Sequence, residues 1–166
     1  MVNQQQIDAL SVDQLWDAVC LAHRECKGAQ HEFDGSPHVS FASPCFQCYD
    51  KGPKLGRVWA LPGMQKKCGC LVWAGKQVPS DVLVADGLQE YHRKANIFCH
   101  GTGWVAKRDL GALLEFPYEI HFTRPPGKAR CQIIYVSTQT GFGRNREQAL
   151  LRAVAKALVQ QGAELT

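Results

Sequence analysis

A chain of 166 residues with 45% hydrophobic and 20% charged residues has the composition of an ordinary globular protein, which argues against a disordered or fibrous chain. No stretch approaches the roughly 20 apolar residues that a membrane helix requires, and the first residues lack the basic start and apolar segment of a secretion signal. The sequence therefore predicts a cytoplasmic protein with no membrane partner.

The net charge of +4 is unevenly distributed along the chain. Residues 1–34 contain six acidic and two basic side chains, whereas residues 124–156 contain seven basic side chains and one acidic one. The first segment therefore carries a net charge of −4 and the second a net charge of +6. This asymmetry favours a polyanionic partner for the C-terminal part. The alternative is that these charges lie on a helix face and a hairpin tip that are simply exposed to solvent and bind no partner.

The first predicted element is an amphipathic helix over residues 12–27. Ser11 and Gln14 have the spacing of a capping box, and Gly28 is a natural helix stop. Apolar or weakly polar residues recur behind the cap at helical spacing: Val12, Leu15, Trp16, Val19, His23 and Cys26. We expect His23 to be a core histidine, and Cys20, Cys26 and Cys131 to pack as small apolar side chains.

The middle of the chain is harder to interpret. Residues 28–56 are rich in Gly, Pro, Ser and Asp, which predicts a long loop with one short strand at His38–Ala42. Two strands, Arg57–Leu61 and Cys70–Ala74, are predicted on either side of the Pro62-Gly63 turn. Beyond them we predict a helix or strand at 80–84, a helix at Leu88–Ala95, a loop at Asn96–Gly103 and a short helix at Asp109–Phe116.

Eight cysteines without a secretion signal indicate metal binding more than disulfides. Cys45 and Cys48 form a Cys-x-x-Cys knuckle, and the tight Cys68-Gly-Cys70 turn offers a second thiolate pair. The two pairs resemble a zinc ribbon, although its second pair is normally Cys-x-x-Cys. The prediction is one structural Zn²⁺ held by four thiolates, a closed site that stabilises the fold and leaves no position for catalysis.

Other side chains could replace one of these four ligands. Cys99-His100-Gly-Thr-Gly103 resembles half of the cysteine-rich repeat of DnaJ-type zinc domains, which makes Cys99 and His100 candidates. His31 and His38 are further candidates. The alternative to metal binding is that the cysteines are simply small buried thiols.

One motif points to an enzyme. His23-Arg-Glu25 and Pro44-Cys45-Phe-Gln-Cys48 resemble the signature of zinc-dependent nucleobase deaminases. That resemblance implies zinc binding by His23, Cys45 and Cys48, with Glu25 moving protons to and from a metal-bound water. We interpret the match as coincidental, because the residues after Cys48 cannot form the helix that the family places there.

The C-terminal third has the clearest pattern. Strands are predicted at Glu119–Thr123 and Ala129–Ser137, joined by a turn at residues 125–128. A loop is predicted at Thr140–Gly143, followed by a capping box at Asn145–Gln148. The buried face of a final helix is predicted to consist of Leu150, Val154, Ala157 and Leu158.

Two families resemble this C-terminal unit. The run Gly141–Ala149 is similar to the end of a double-stranded-RNA-binding domain, in which a Gly-x-Gly loop leads into a helix carrying phosphate-binding lysines. Arg146 matches the first of those lysines, whereas Glu147 and Leu150 replace the other two. The whole arrangement also resembles small α-β-α sandwich and zinc-knuckle proteins of bacteriophages. In either case five basic residues are candidates for phosphate contacts: Arg124, Lys128, Arg130, Arg144 and Arg146.

Together these features predict an α+β protein with a small antiparallel sheet, a helix at each end and a zinc-ribbon-like insert. We expect an N-terminal helix and loop (1–42), the insert (43–75) and an α/β part (76–166) within one compact domain. The expected role is a non-enzymatic, zinc-stabilised binding protein without a small-molecule substrate, and the resemblance to bacteriophage proteins implies that it is phage-encoded. Its partner would be a nucleic acid or a nucleic-acid-handling complex. A phage inhibitor of a host defence complex (anti-CRISPR-like) that binds protein, and a nucleobase deaminase, are the alternatives.

Overall fold

A computed structural model describes residues 2–27, 48, 52–53, 56–68, 103–116, 118–134 and 137–165. Within these residues the helices are α1 (Gln4–Ala9), α2 (Val12–Cys20), α3 (Leu110–Leu114) and α4 (Arg146–Gln160). The strands are β1 (His23–Glu25), β2 (Arg57–Trp59), β3 (Gln65–Lys67), β4 (Trp104–Ala106), β5 (Glu119–Thr123), β6 (Ala129–Ile134) and β7 (Thr138–Gly143). Helices combined with small antiparallel sheets confirm the predicted α+β class.

The N-terminal residues form two short helices in place of one long helix. Asn3 and Gln6 form a capping box for α1, which the sequence analysis did not predict. The predicted capping box of Ser11 and Gln14 is confirmed at the start of α2. The predicted extent of that helix, to residue 27, was wrong, because α2 ends at Cys20 and the chain continues into β1.

Strand pairing explains why the apolar spacing failed to continue the helix beyond Cys20. His23 lies opposite Trp59 in the antiparallel β1–β2 pair, and it also exchanges two backbone hydrogen bonds with Glu164. These tertiary bonds satisfy both backbone polar groups of His23 without a helix. The preference for a helix that apolar spacing indicates is weak, and tertiary pairing of this kind overrides it.

A second small sheet pairs β3 with β4, Lys67 lying opposite Trp104. The predicted strand Arg57–Leu61 is confirmed over β2, but its predicted partner Cys70–Ala74 lies outside the described residues. The ring of Trp59 in β2 meets that of Trp104 edge to face, with 5.4 Å between centroids. This aromatic contact connects the two small sheets.

The largest sheet has the order β5-β6-β7, and both of its strand pairs are antiparallel. The predicted loop at Thr140–Gly143 was wrong, because these residues form most of β7. A Cβ added to Gly141 would lie 2.1 Å from the Ala149 carbonyl oxygen, and one added to Gly143 would lie 2.7 Å from the Ala149 nitrogen. These glycines therefore serve close packing of a strand against a helix and not a turn.

Helix α4 covers one face of this sheet and forms the centre of the core. Asn145 caps it by accepting the Gln148 N–H at 2.9 Å, whereas the Gln148 side chain accepts the N–H of Arg144 and so does not complete the predicted capping box. Helices α1 and α2 pack on α4, and Trp16 Nε1–H donates to Glu147 Oε1 at 2.8 Å. The largest buried core side chains include Ile7, Leu15, Val19, Ile133, Leu150, Leu151 and Val154.

The predicted short helix at Asp109–Phe116 is confirmed as α3, with Asp109 as its cap. The predicted elements His38–Ala42 and Leu88–Ala95, and the segment at 80–84, lie outside the described residues. None of the helices in the described part of the chain is both long and apolar enough to cross a membrane.

Candidate nucleic-acid interface and metal ligands

The five predicted phosphate-binding residues lie at one end of the three-stranded sheet. Arg124 directly follows β5, and Lys128 belongs to the turn that leads into β6. Arg144 lies between β7 and α4, and Arg146 is the first residue of α4. We call these four residues together with Arg130 the basic end of the sheet.

The strand register places Arg130 in the middle of this group. Arg130 lies between Thr123 of β5 and Phe142 of β7. Its neighbours Ala129 and Cys131 are buried and face α4, so Arg130 and Phe142 lie on the opposite, outer face of the sheet. Phe142 is 40% exposed there, so its ring is accessible to a neighbouring cation.

Aromatic rings support two of the cations. The Lys128 ammonium lies 4.5 Å from the centroid of the Phe142 ring, and the Arg146 guanidinium lies 5.4 Å from that of Phe122. Contacts of this kind contribute about 0.5–1 kcal/mol at exposed sites. They orient the cations while leaving their N–H groups able to bind an anion.

A cleft of about 580 Å³ lies between the hairpin turn and the start of α4. Its lining combines basic, amide, glycine and apolar residues: Val12, Gly127, Lys128, Phe142, Gly143, Arg144, Asn145, Gln148 and Arg152. Arg152 was not among the predicted phosphate-binding residues, and its only signal in the sequence was its place in the basic segment 124–156. Its guanidinium donates to the Phe142 carbonyl at 2.7 Å and to the Asp8 carbonyl at 2.8 Å, which fixes it in the cleft wall.

The cations of the basic end differ in their partners from three cations elsewhere in the described structure. Elsewhere Arg57 pairs with Glu164 at 2.7 Å, Arg108 with Asp13 at 2.6 Å and Lys156 with Asp8 at 2.8 Å. Within the residues that the structure describes, none of the five cations of the basic end forms an ion pair. Their charges therefore remain available to a polyanion.

Two of the cysteines predicted to pack as apolar side chains do so. Cys20 and Cys131 are fully buried in the main core. Burial raises the pKa of the Cys20 thiol from 9.0 to about 11 and that of the Cys131 thiol to about 12. Both thiols are therefore protonated and unreactive at neutral pH.

The predicted zinc ligands are only partly within the described chain. Cys48 is buried next to Cys26, and Cys68 is buried where its N–H donates to the Gly103 carbonyl at 2.7 Å. The other predicted ligands and their substitutes lie outside the described residues: Cys45, Cys70, Cys99, His100, His31 and His38. No group of three metal-ligating side chains is found in the portion that is described, so the four-thiolate site stays a prediction.

His23 and Glu25 of the deaminase signature lie in strand β1 and not in a helix. His23 Nδ1 accepts a hydrogen bond from Arg57 Nη2 at 2.8 Å, and Arg57 in turn pairs with Glu164. His23 is thus a half-buried residue in a polar contact, and its predicted place on an apolar helix stripe was wrong. Glu25 is exposed.

Comparisons with protein-family models, with curated proteins and with solved structures found no match to this chain.

Proposed function

We propose that this protein binds the phosphate backbone of a nucleic acid through the basic end of the sheet, without catalysing a reaction. The observation that carries the proposal is that its five cations share one end of a sheet and have no acidic partners among the described residues. Unpaired cations at this density repel one another, and a row of phosphates relieves that repulsion.

The elements that hold these cations are well packed. Arg130 is in the central strand of the sheet, while Arg144 and Arg146 lie at the junction of β7 and α4, where two glycines allow close contact between strand and helix. Because the backbone is held in place, mainly side-chain freedom is lost when these residues bind phosphates. The interface is suited to backbone contacts, which do not depend on sequence.

The resemblance to double-stranded-RNA-binding domains supports this location in part. Arg146 is in the first turn of α4, at the position of a phosphate-binding lysine. Leu150, at another such position, is buried, and Glu147 binds Trp16. Of the three positions only Arg146 can offer a cation, so Lys128 and Arg144 would supply the remaining contacts from the hairpin and from the β7–α4 junction.

The experiment compares binding of fluorescent RNA and DNA duplexes to two double charge reversals. Arg144→Glu with Arg146→Glu should reduce affinity at least 100-fold, because two phosphate contacts become repulsive. Lys66→Glu with Lys107→Glu changes the net charge equally at exposed positions of the β3–β4 sheet and at its end. This control should reduce affinity less than tenfold.

Equal losses in the two double variants, or no measurable binding by the unmodified protein, would contradict the proposal. A partner protein recovered from a lysate after nuclease treatment, with no duplex binding, would favour the inhibitor alternative instead. The proposed phosphate binding at the basic end does not require zinc. The predicted structural Zn²⁺ would act only by stabilising the fold.

A further inference from the structure

Two cysteines from distant parts of the sequence come together beside strand β2. Cys26 directly follows β1 and is 4% exposed, and Cys48, which is 2% exposed, packs against it. Neither thiol is part of a disulfide. From the sequence, Cys48 was predicted to bind zinc together with Cys45, Cys68 and Cys70, and Cys26 was predicted to pack as a small apolar side chain.

The backbone of Gly56 connects the two residues. Its carbonyl accepts the N–H of Cys26 at 2.8 Å, and its own N–H donates to the Sγ of Cys48 at 3.4 Å. Gly56 has a φ of +84°, a conformation that side-chain-bearing residues rarely adopt. An N–H aimed at a sulfur stabilises a thiolate more than a thiol, because hydrogen bonds to ionised acceptors are stronger.

The pair lies apart from the main core. Cys20 and Cys131 belong to that core with many Leu, Val and Ile side chains. Cys26 and Cys48 form a separate cluster, in which the described residues also include the partly buried Val58. Two adjacent thiols, one of which accepts a backbone N–H, have the chemistry of a thiolate metal site.

We propose that Cys26 and Cys48 are ligands of the same Zn²⁺ ion, which would attach the segment containing the Cys45-x-x-Cys48 knuckle to the β1–β2 sheet. Thiolates favour Zn²⁺ over Mg²⁺ or Ca²⁺. On binding, each thiol releases one proton to solvent and its sulfur donates an electron pair to the metal, with no change of oxidation state. The inference rests on the predicted zinc site and is independent of nucleic-acid binding.

This assignment changes the expected ligand set. With Cys26 as a ligand, the knuckle needs at most one further donor, and the Cys68-Gly-Cys70 pair is no longer required for the same ion. The Cys68 N–H donates to the Gly103 carbonyl, so the backbone of Cys68 extends the β3–β4 pair.

Metal content of purified variants tests the proposal, with Cys131→Ser as a matched control for loss of a buried thiol. The unmodified protein and Cys131→Ser should contain zinc. Cys26→Ser and Cys48→Ser should each lower zinc affinity in a chelator competition by at least about 100-fold, since even indirect partners of zinc ligands contribute 10–100-fold. Cys26→His should restore most of the affinity, because imidazole is also a zinc ligand.

Apolar packing of Cys26 makes the reverse prediction, namely that Cys26→Ala retains zinc and folds better than Cys26→His. A second measurement needs no variant. In the unmodified protein, iodoacetamide should modify Cys26 and Cys48 only after a chelator is added, and at the same chelator concentration. Retention of zinc by Cys26→Ser, chelator-independent modification of Cys26, a Cys26–Cys48 disulfide, or a metal-free folded protein would each overturn the proposal.

Discussion

Two glycines of β7 determine how closely α4 approaches the sheet. At Gly141 a methyl group would meet the Ala149 carbonyl oxygen at 2.1 Å and the Ala153 nitrogen at 2.5 Å. Both are backbone atoms of a helix and cannot turn aside as a side chain can. Gly111 in α3 is a useful contrast, because a Cβ there lies no closer than 3.4 Å to its nearest neighbour, the Asp109 side chain.

Gly141→Ala should therefore destabilise the protein by at least about 2 kcal/mol, since overpacking against backbone forces the helix and strand apart. Gly111→Ala should be neutral or stabilise by up to about 1 kcal/mol, because alanine restricts the unfolded chain and favours helix. Urea unfolding followed by circular dichroism measures both. Equal stabilities for the two variants would contradict the packing described for β7 and α4.

The two core thiols make stability depend on alkaline pH. The folded-state pKa values of Cys20 and Cys131, about 11 and about 12, exceed the ordinary value of 9.0. Between these limits the folded protein binds more protons than the unfolded chain, so the free energy of unfolding falls as pH rises. The stabilisation is complete below pH 9 and is lost as pH rises through the two folded-state values.

Replacing both residues by alanine should flatten this alkaline loss of stability between about pH 9 and pH 11, whatever its effect at pH 7. Unfolding midpoints in urea at several pH values provide the measurement. If the double variant loses stability with the same slope as the unmodified protein, ionisation of these two thiols is not the cause.

At the scale of elements, the cap of α4 stabilises the helix and positions the basic residues beside it. Asn145→Ala should cost about 1 kcal/mol, because the Gln148 N–H loses its acceptor. Asn145→Asp retains an acceptor and adds a negative charge at the positive end of the helix, so it should be at least as stable as the unmodified protein. Thermal unfolding distinguishes them, and a stability order with Asp below Ala would contradict the assigned cap.

Local signals in the sequence predicted some elements and not others. Ser11, Asp109 and Asn145 mark helix starts that the structure confirms, and the alternation in β5 and β6 gave the first hairpin. Strand β1 was missed because its pairing with β2 joins residues more than 30 positions apart in sequence, which no local pattern records. Strand β7 was missed because glycine usually signals a turn, whereas Gly141 and Gly143 are required by the neighbouring helix.

In the candidate sites too, local sequence predicted some features, whereas others depend on how distant parts of the chain fold together. The number of basic residues in segment 124–156 was enough to predict the basic end of the sheet. These residues belong to elements that follow one another in the sequence, so local patterns could bring them together. Their unpaired state depends on where distant carboxylates lie: Asp8 and Glu164, for example, pair with Lys156 and Arg57. The contact of Cys26 with Cys48 likewise depends on strand pairing, and sequence spacing alone favoured a different partner.

Some cations of the described structure form ion pairs with carboxylates, whereas those of the basic end do not. Cations that hold the fold together are neutralised by the N-terminal and C-terminal segments, through Asp8, Asp13 and Glu164. The cations at the basic end of the sheet have no such partners in the described part of the chain. A polyanion can therefore bind at the basic end without first displacing an internal ion pair.

The salt dependence of duplex binding is the most direct test of whether the basic end binds nucleic-acid phosphates. If the five cations of the basic end each contact a phosphate, the logarithm of the binding constant should fall against the logarithm of salt concentration with a slope of about −4.5. Affinity would then drop roughly 500-fold between about 50 and about 200 mM salt, and Arg144→Glu with Arg146→Glu should reduce the slope to about −3. A slope near zero, or one that this double variant leaves unchanged, would contradict binding of nucleic acid at the basic end.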